Sequence, residues 1–273
     1  VLRIPDDGNP QEMEGDGILR GSTISRAISD MREIDLNKIQ TTEEKYIDWA
    51  NTDTISMVKD KLRDSVLLSI GSQNPVSNIV AILGFERAFV DIVENSELVR
   101  KLTNIYTEIN INTAIAKIKA GAKFIYTGSS WLPLVNRNVY KDFFHETQCK
   151  LNKKIHENGG IVLLHVSGRQ SHIMDLNVEA EPDVMLIDGE QNDISIIKKE
   201  YGGRVCLAGG LDPTNILYRG TPEIVEKEIK RLIKVTGNNG GYMLSTSDNI
   251  VLNTPTKNIE TMMRVTSEAY KEG

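Results

Sequence analysis

Asn158-Gly159-Gly160-Ile161-Val162-Leu163-Leu164-His165-Val166-Ser167-Gly168-Arg169 decides the fold. The glycine pair closes an amphipathic stretch that runs from about residue 138 to 157, because glycine accepts the backbone conformations that end a helix. Ile161 to Leu164 is an unbroken apolar run, as expected of a strand covered on both faces in a parallel sheet. His165 ends that run where it meets a loop of small and polar residues, and a short helix is predicted near residues 171–176. Helix, short apolar strand, polar loop and helix form the repeating unit of a parallel α/β fold.

The same unit recurs on both sides. Upstream, Val66-Leu67-Leu68-Ser69-Ile70 is closed by Gly71, and Lys123 to Thr127 forms the next predicted strand. Between them Ile79, Ile82, Leu83, Phe85 and Phe89 recur at helical spacing. Ser96-Glu97-Leu98 then opens a longer helix that runs to Ala120 and stops at Gly121. Downstream, Val184 to Ile187, Arg204 to Ala208 and Tyr242 to Leu244 are the remaining strands. Thr221-Pro222-Glu223 and Thr254-Pro255 each place a capping residue before a first-turn proline, the usual start of a helix.

Six strands alternating with helices predict parallel pairing, since each helix returns the chain to the same edge. The fold class is therefore α/β, a (β/α)8 TIM barrel lacking its first units in this numbering. Residue 1 is Val, and the first units are placed upstream of it. An open doubly wound sheet is the alternative. Residues 1–60 form an irregular segment, with turns at Asp6-Asp7-Gly8-Asn9-Pro10 and Glu14-Gly15-Asp16-Gly17 around a small hairpin. No repeat or linker divides the chain, so residues 1–273 are one domain.

Composition removes several functions. The chain has 273 residues, with 32 basic and 38 acidic side chains and a net charge of -6, which disfavours a non-specific nucleic-acid binder. No apolar run approaches the ~20 residues that span a bilayer, and the expected location is the cytoplasm. Two cysteines, Cys149 and Cys206, cannot make a disulfide framework. Each falls inside a predicted element as core, and neither is a candidate nucleophile.

Chemistry in parallel α/β folds sits on the loops that leave the C-terminal ends of the strands. Those loops supply Gln73, then Ser129, Ser130 and Trp131, then Arg169, then Asp188 and Glu190, then Asp212, and finally Ser247 and Asp248. This is the candidate substrate-binding set for a small molecule. His165 and Asp248 are the candidate catalytic pair, because an imidazole at a strand end among carboxylates can transfer a proton or hold a metal. A histidine hydrogen-bonded to a carboxylate for structure is the competing reading. His145, His156 and His172 fall on helices as surface or packing residues. Gly209-Gly210-Leu211-Asp212-Pro213 reads as a tight turn, or as amides facing an anion.

The ordered motifs Leu83-Gly84-Phe85-Glu86-Arg87, Gly121-Ala122-Lys123 to Ser130-Trp131, Leu164-His165-Val166-Ser167-Gly168, Gly210-Leu211-Asp212-Pro213, Gly220-Thr221-Pro222-Glu223, Gly240 to Leu244 and Thr254 to Asn258 resemble the uroporphyrinogen decarboxylase superfamily. The resemblance covers roughly residues 80 to 265. It implies an α/β barrel with a deep mouth and one of two activities. Decarboxylases of the superfamily act on a porphyrinogen bearing eight carboxylates without a cofactor. Relatives transfer methyl groups between a corrinoid protein and an acceptor, using zinc held by a His-x-Cys pair and a later cysteine.

Both patterns are altered here. Ser130 matches the decarboxylase's serine loop, but Asp248 stands where its late histidine would be. His165 matches the first zinc ligand, whereas Ser167 replaces the first cysteine and Asp248 the second. A harder zinc site of His165, Asp248 and Glu190 is what the resemblance then implies. The mouth loops carry Arg169 against Asp188, Glu190, Asp212 and Asp248, a poor match for a polyanion, since buried charge must be paired. Methyl transfer linked to a corrinoid carried by a partner protein is therefore the leading expectation. Uroporphyrinogen decarboxylation is the first alternative, and a non-catalytic corrinoid- or tetrapyrrole-binding barrel the second. Relatives are often homodimers.

Overall fold

A computed structural model describes residues 52–63, 67–72, 74–237 and 240–272. The expected hairpin near residues 6–17 and the loop residue Gln73 lie outside these. After helix α1 (Thr52–Leu62) come strand β1 (Ser69–Gly71), helices α2 (Pro75–Leu83), α3 (Phe85–Glu94) and α4 (Ser96–Lys119), and strand β2 (Phe124–Gly128). Next are α5 (Arg137–Tyr140), a wide helical turn over Lys141–His145, α6 (Glu146–Glu157), β3 (Ile161–His165), α7 (Met174–Glu179), β4 (Val184–Ile187) and α8 (Ile194–Tyr201). β5 (Cys206–Leu211), a helical turn at Pro213–Tyr218, α9 (Pro222–Thr236), β6 (Tyr242–Thr246) and α10 (Thr256–Glu272) complete the order.

All six strands are parallel, and they lie in chain order from β1 to β6. Each described strand pairs with the next, so among the described residues the strand order does not reverse. A doubly wound sheet requires such a reversal. The sheet therefore winds in one sense throughout, as consecutive units of a (β/α) barrel do. Among the described residues its edges are β1 and β6.

Strand alternation sorts the side chains. On β3, Val162 and Leu164 are buried under the helices with Leu207 and Ile187 of neighbouring strands, while Ile161 and Leu163 face the other way and are only half-buried. Burying each of the large aliphatics contributes roughly 1.5–3 kcal/mol, which makes the helix-facing side of the sheet the main source of stability. Helix starts are fixed locally. Asn74 accepts from Val76 N (3.0 Å) to cap α2, and Asp193 accepts from Ser195 N (2.9 Å) to cap α8.

One expected turn belongs to a strand. Gly209 and Gly210 continue β5 rather than ending it at Ala208, with φ of +91° and +87°. A Cβ on Gly209 would stand 2.6 Å from Ile187 O, and one on Gly189 would stand 2.3 Å from Gly210 O. Glycine is needed because two backbones approach too closely for a side chain. Among the described residues no helix is long and apolar enough to cross a membrane.

Candidate active site

The period of two along β2 and β3 puts Tyr126, Gly128 and His165 on one side of the sheet, Gly128 being the register partner of His165. Continuing across β4 brings Asp188 to the same side. The side chains of Tyr126, His165 and Asp188 meet. His165 is 4% exposed and Asp188 6%, and Asp188 Oδ1 lies 3.1 Å from His165 Nε2. The other ring nitrogen, Nδ1, is hydrogen-bonded to the Tyr126 hydroxyl. Ser167 Oγ lies 3.3 Å from Nε2, and the Tyr126 and His165 rings pack edge to face at 5.7 Å.

The hydrogen bonds assign the tautomer. Asp188 only accepts. Its Oδ2 takes Gly168 N–H (2.6 Å) and its Oδ1 faces Nε2, so Nε2 carries the ring proton. A neutral ring then has an acceptor at Nδ1, and the Tyr126 hydroxyl donates to it. The order is carboxylate, imidazole, phenol. Burial, then the charges of Asp248 and Asp188, push the Tyr126 phenol up to about 12. Tyr126 therefore remains protonated across the neutral range.

The loops hold this arrangement fixed. Asn192 donates to Gly168 O and to Asp188 O (3.0 Å each) and accepts from Gln170 N (3.1 Å), joining the loops after β3 and β4. Ser247, fully buried, accepts from Gly189 N (3.0 Å) and ties β6 to the β4 loop. Gly128 leaves room for His165, because a Cβ there would stand 1.9 Å from His165 O.

Other candidates go elsewhere. Asp248 is exposed and accepts from Asn249 N (2.7 Å); its charge reaches Tyr126, but it makes no bond to His165. Asp212 caps the helical turn after β5, accepting from Thr214 N (2.7 Å), Asn215 N (2.8 Å) and Asn215 Nδ2 (2.8 Å). Ser129 is buried against Ser77 Oγ (2.8 Å) and accepts from Trp131 N (3.1 Å). Ser130 and Arg169 are exposed on the rim, and Trp131 packs on Phe85 at 5.3 Å between centroids. Of the other histidines, His156 pairs with Asp183 (2.8 Å), His172 bonds Val135 O (3.0 Å) from a turn rather than a helix, and His145 stands 3.6 Å from Cys149 Sγ. Cys149 and Cys206 are half-buried, and desolvation raises both thiols, Cys149 further through nearby glutamates.

The expected zinc triad does not form. Glu190 is exposed and shares a shallow groove with Asn192, Asp193 and Arg231. Among the described residues no three His, Cys, Asp or Glu side chains come together to hold an ion. Both nitrogens of His165 are already engaged, and Ser167 presents a hydroxyl where the resemblance calls for a thiolate. Residues 165, 190 and 248 do not fit that metal.

Sequence reasoning missed Tyr126, which lies inside a run, Lys123 to Thr127, read only as a strand. The signal was available: Tyr126 stands two residues before Gly128, on the same strand face as the polar strand end.

Residues 18–269 match the family model described as uroporphyrinogen decarboxylase (URO-D). The chain is 25% identical over 261 residues to the uroporphyrinogen decarboxylase of Methylobacillus flagellatus, covering 92% of this chain and 71% of that protein. The uroporphyrinogen decarboxylases of Cellvibrio japonicus and Geotalea daltonii match over 45% and 46% of their own length. The methylcobamide:CoM methyltransferase of Methanosarcina acetivorans is 22% identical over 272 residues, covering 96% of this chain and 78% of its own. Among solved structures, a methyltransferase from Methanosarcina mazei superposes with a TM-score of 0.72 at 18% identity, over 80% of this chain and 64% of that one.

Proposed function

The chain belongs to the uroporphyrinogen decarboxylase family, and from that premise we propose that it is an enzyme of methyl transfer linked to a corrinoid protein, acting on a small neutral or cationic substrate at the Tyr126–His165–Asp188 cluster. One observation carries the choice between the family's two chemistries. Among the described strand-end loops, the basic side chains besides His165 are Arg169 and His172 after β3 and Arg219 after β5; both arginines are exposed, and His172 is bonded to Val135 O. Asp188 and Asp248 stand near the cluster instead, both close enough to act on Tyr126. A porphyrinogen with eight carboxylates calls for several cations in the mouth, because unpaired buried charge is very costly. A methyl donor or acceptor without negative charge meets no such penalty. Similarity runs over nearly the whole chain both to the methylcobamide:CoM methyltransferase and to the Methylobacillus flagellatus decarboxylase, so the charge balance is what favours methyl transfer.

Each residue then has a task. Asp188 holds Nε2–H and fixes the imidazole, Gly168 and Asn192 hold Asp188, and His165 stores or returns a proton as a substrate heteroatom loses or gains a methyl group. No step is assigned to zinc.

The test is an assay in two arms. Purified protein incubated with methylcobalamin and small thiol or phenol acceptors is expected to release methylated acceptor and cob(I)alamin, followed by absorbance. Incubation with uroporphyrinogen is expected to yield no coproporphyrinogen. The reverse pattern overturns the proposal in favour of decarboxylation, and tight binding of methylcobalamin without turnover points to a non-catalytic barrel.

A further inference from the structure

We infer that Tyr126, rather than His165, is the group that meets the substrate, exchanging a proton with the heteroatom while the His165–Asp188 pair behind it takes up or returns that proton. The inference rests on the methyl-transfer reading for its chemistry, but not for its geometry. His165 has no free edge. Its ring is 4% exposed, Nε2 faces Asp188 and Ser167, and Nδ1 faces the Tyr126 hydroxyl. Asp188 is equally closed, with Oδ1 on the ring and Oδ2 on Gly168 N. Tyr126 is the half-buried member of the three and the end of the hydrogen-bond chain.

A second, independent feature points the same way. The register partner of Tyr126 on β1 is Gly71, which is exposed, and a Cβ built there meets none of the described residues within 4 Å. On the β3 side the partner is Leu163, half-buried and apolar. Among the described residues, open space therefore borders the phenol on its β1 side, next to a strand end without a side chain. That is room for a substrate heteroatom, and it is where the buried imidazole does not reach.

The tautomer suits uptake of a proton. As an acceptor of formula X–H attacks the methyl carbon, a lone pair on X forms the new X–C bond. The electron pair of the broken carbon–cobalt bond stays on the partner's corrinoid. The proton of X passes to Tyr126 Oη while the phenol proton passes to His165 Nδ1. Asp188 faces the imidazolium so formed. In the opposite direction the same two protons return. Tyr126 hands on one proton as it receives another and is never left as a phenolate. Its strongly weakened acidity fits this role.

The experiment compares Tyr126→Phe and Gly71→Val with the unaltered protein, using methylcobalamin and a series of thiols of graded acidity. For weakly acidic alkanethiols Tyr126→Phe is expected to lower kcat by about 10²-fold or more, the usual scale for losing an acid–base group. For acidic aryl thiols, already ionised and needing no proton removed, the loss is expected to stay within about threefold. Gly71→Val is expected to raise KM for all acceptors by about tenfold, filling the space beside the phenol. An equal loss in Tyr126→Phe across the series overturns the inference, because a merely structural tyrosine penalises every acceptor alike.

A measurement independent of turnover separates the two readings. With four histidines in the chain, the ¹⁵N resonances of the imidazoles are assignable, and Nδ1 of His165 is expected to move in Tyr126→Phe. If the unaltered protein transfers no methyl group, the proposed function fails; a moved resonance then keeps the proton relay and discards only its methyl chemistry. An unmoved resonance overturns the relay whatever the activity.

Discussion

At the ends of β2, β3 and β4 the polar side chains point into one another, whereas at the ends of β5 and β6 they point into backbone or solvent. Tyr126, His165 and Asp188 form a buried chain of hydrogen bonds. Asp212 spends its carboxylate on the first amides of a helical turn, Ser247 on Gly189 N, and Asp248 on its neighbour's amide in full exposure. Both regions offered polar and acidic side chains toward the C-terminal ends of parallel strands. A loaded strand-end rim is thus not in itself a site. What separates the two is desolvation with mutual pairing: a polar group costs little in water, so only a group kept out of water by its partners is held in one chemically useful orientation.

The sharpest way to break this comparison is to part β2 from β3 where the cluster is anchored. Gly128 has φ +118°, and a Cβ there would stand 1.9 Å from His165 O. Backbone cannot move aside as a flexible side chain can. Gly128→Ala is expected to destabilise the fold by at least about 3 kcal/mol. Gly71→Ala, one strand away and with no described residue within 4 Å of the new Cβ, is expected to stay within about 0.5 kcal/mol. Urea unfolding of both variants checks this, and equal midpoints would show that the Gly128 contact constrains nothing.

The contrast also explains what could be read in advance. β3 and β4 have the expected limits because Gly159-Gly160 and Asp188-Gly189 bound unbroken apolar runs. The winding of the sheet was legible because six strands alternate with helices, although the choice between barrel and doubly wound sheet needed strand order. β5 overran its expected end because the meaning of Gly209-Gly210 depends on Ile187 and Gly189, which the chain reaches only through space. His165 and Asp188 were legible as strand-end residues. Tyr126 was not, because an aromatic inside a strand looks like core until a partner for its hydroxyl is found across the sheet. Asp212 and Glu190 were over-read for the converse reason: local capping and rim exposure leave no trace in a list of carboxylates.

A smaller effect tests the β5 side. If Asp212 serves only as a cap, Asp212→Ala costs about 1 kcal/mol of stability, and Asp212→Asn, which keeps the accepting oxygen, recovers most of it. Neither changes methyl transfer at saturating substrate. A kcat loss exceeding about tenfold in Asp212→Asn would move Asp212 into the site and dissolve the contrast drawn between the two rims.

The smallest effect belongs to Asp248, which stands between the two regions: exposed and bonded like the β5–β6 group, yet close enough to act on Tyr126 by charge. At neutral pH Asp248→Asn is expected to leave stability within about 0.5 kcal/mol of the original, since an exposed carboxylate bonded to an adjacent amide contributes little. The alkaline limb should differ. Tyr126 is held at about 12, above the usual value of 10.0, so its protonated form is favoured by folding. That contribution is present below pH 10 and is lost as pH rises towards 12, where the folded protein must also give up the proton. Removing the Asp248 charge leaves burial, the largest cause, and Asp188 in place, so the phenol falls part of the way back. Alkaline loss of stability then becomes shallower. Burial also raises Tyr140 and Tyr242, but both are common to the two proteins and cancel in the difference. Phenolate absorbance followed against pH, with Asp212→Asn as the control, reads the shift directly. A titration unchanged in Asp248→Asn would place Asp248 wholly with the solvated carboxylates of β5, and leave Asp188 as the single charge acting on the cluster.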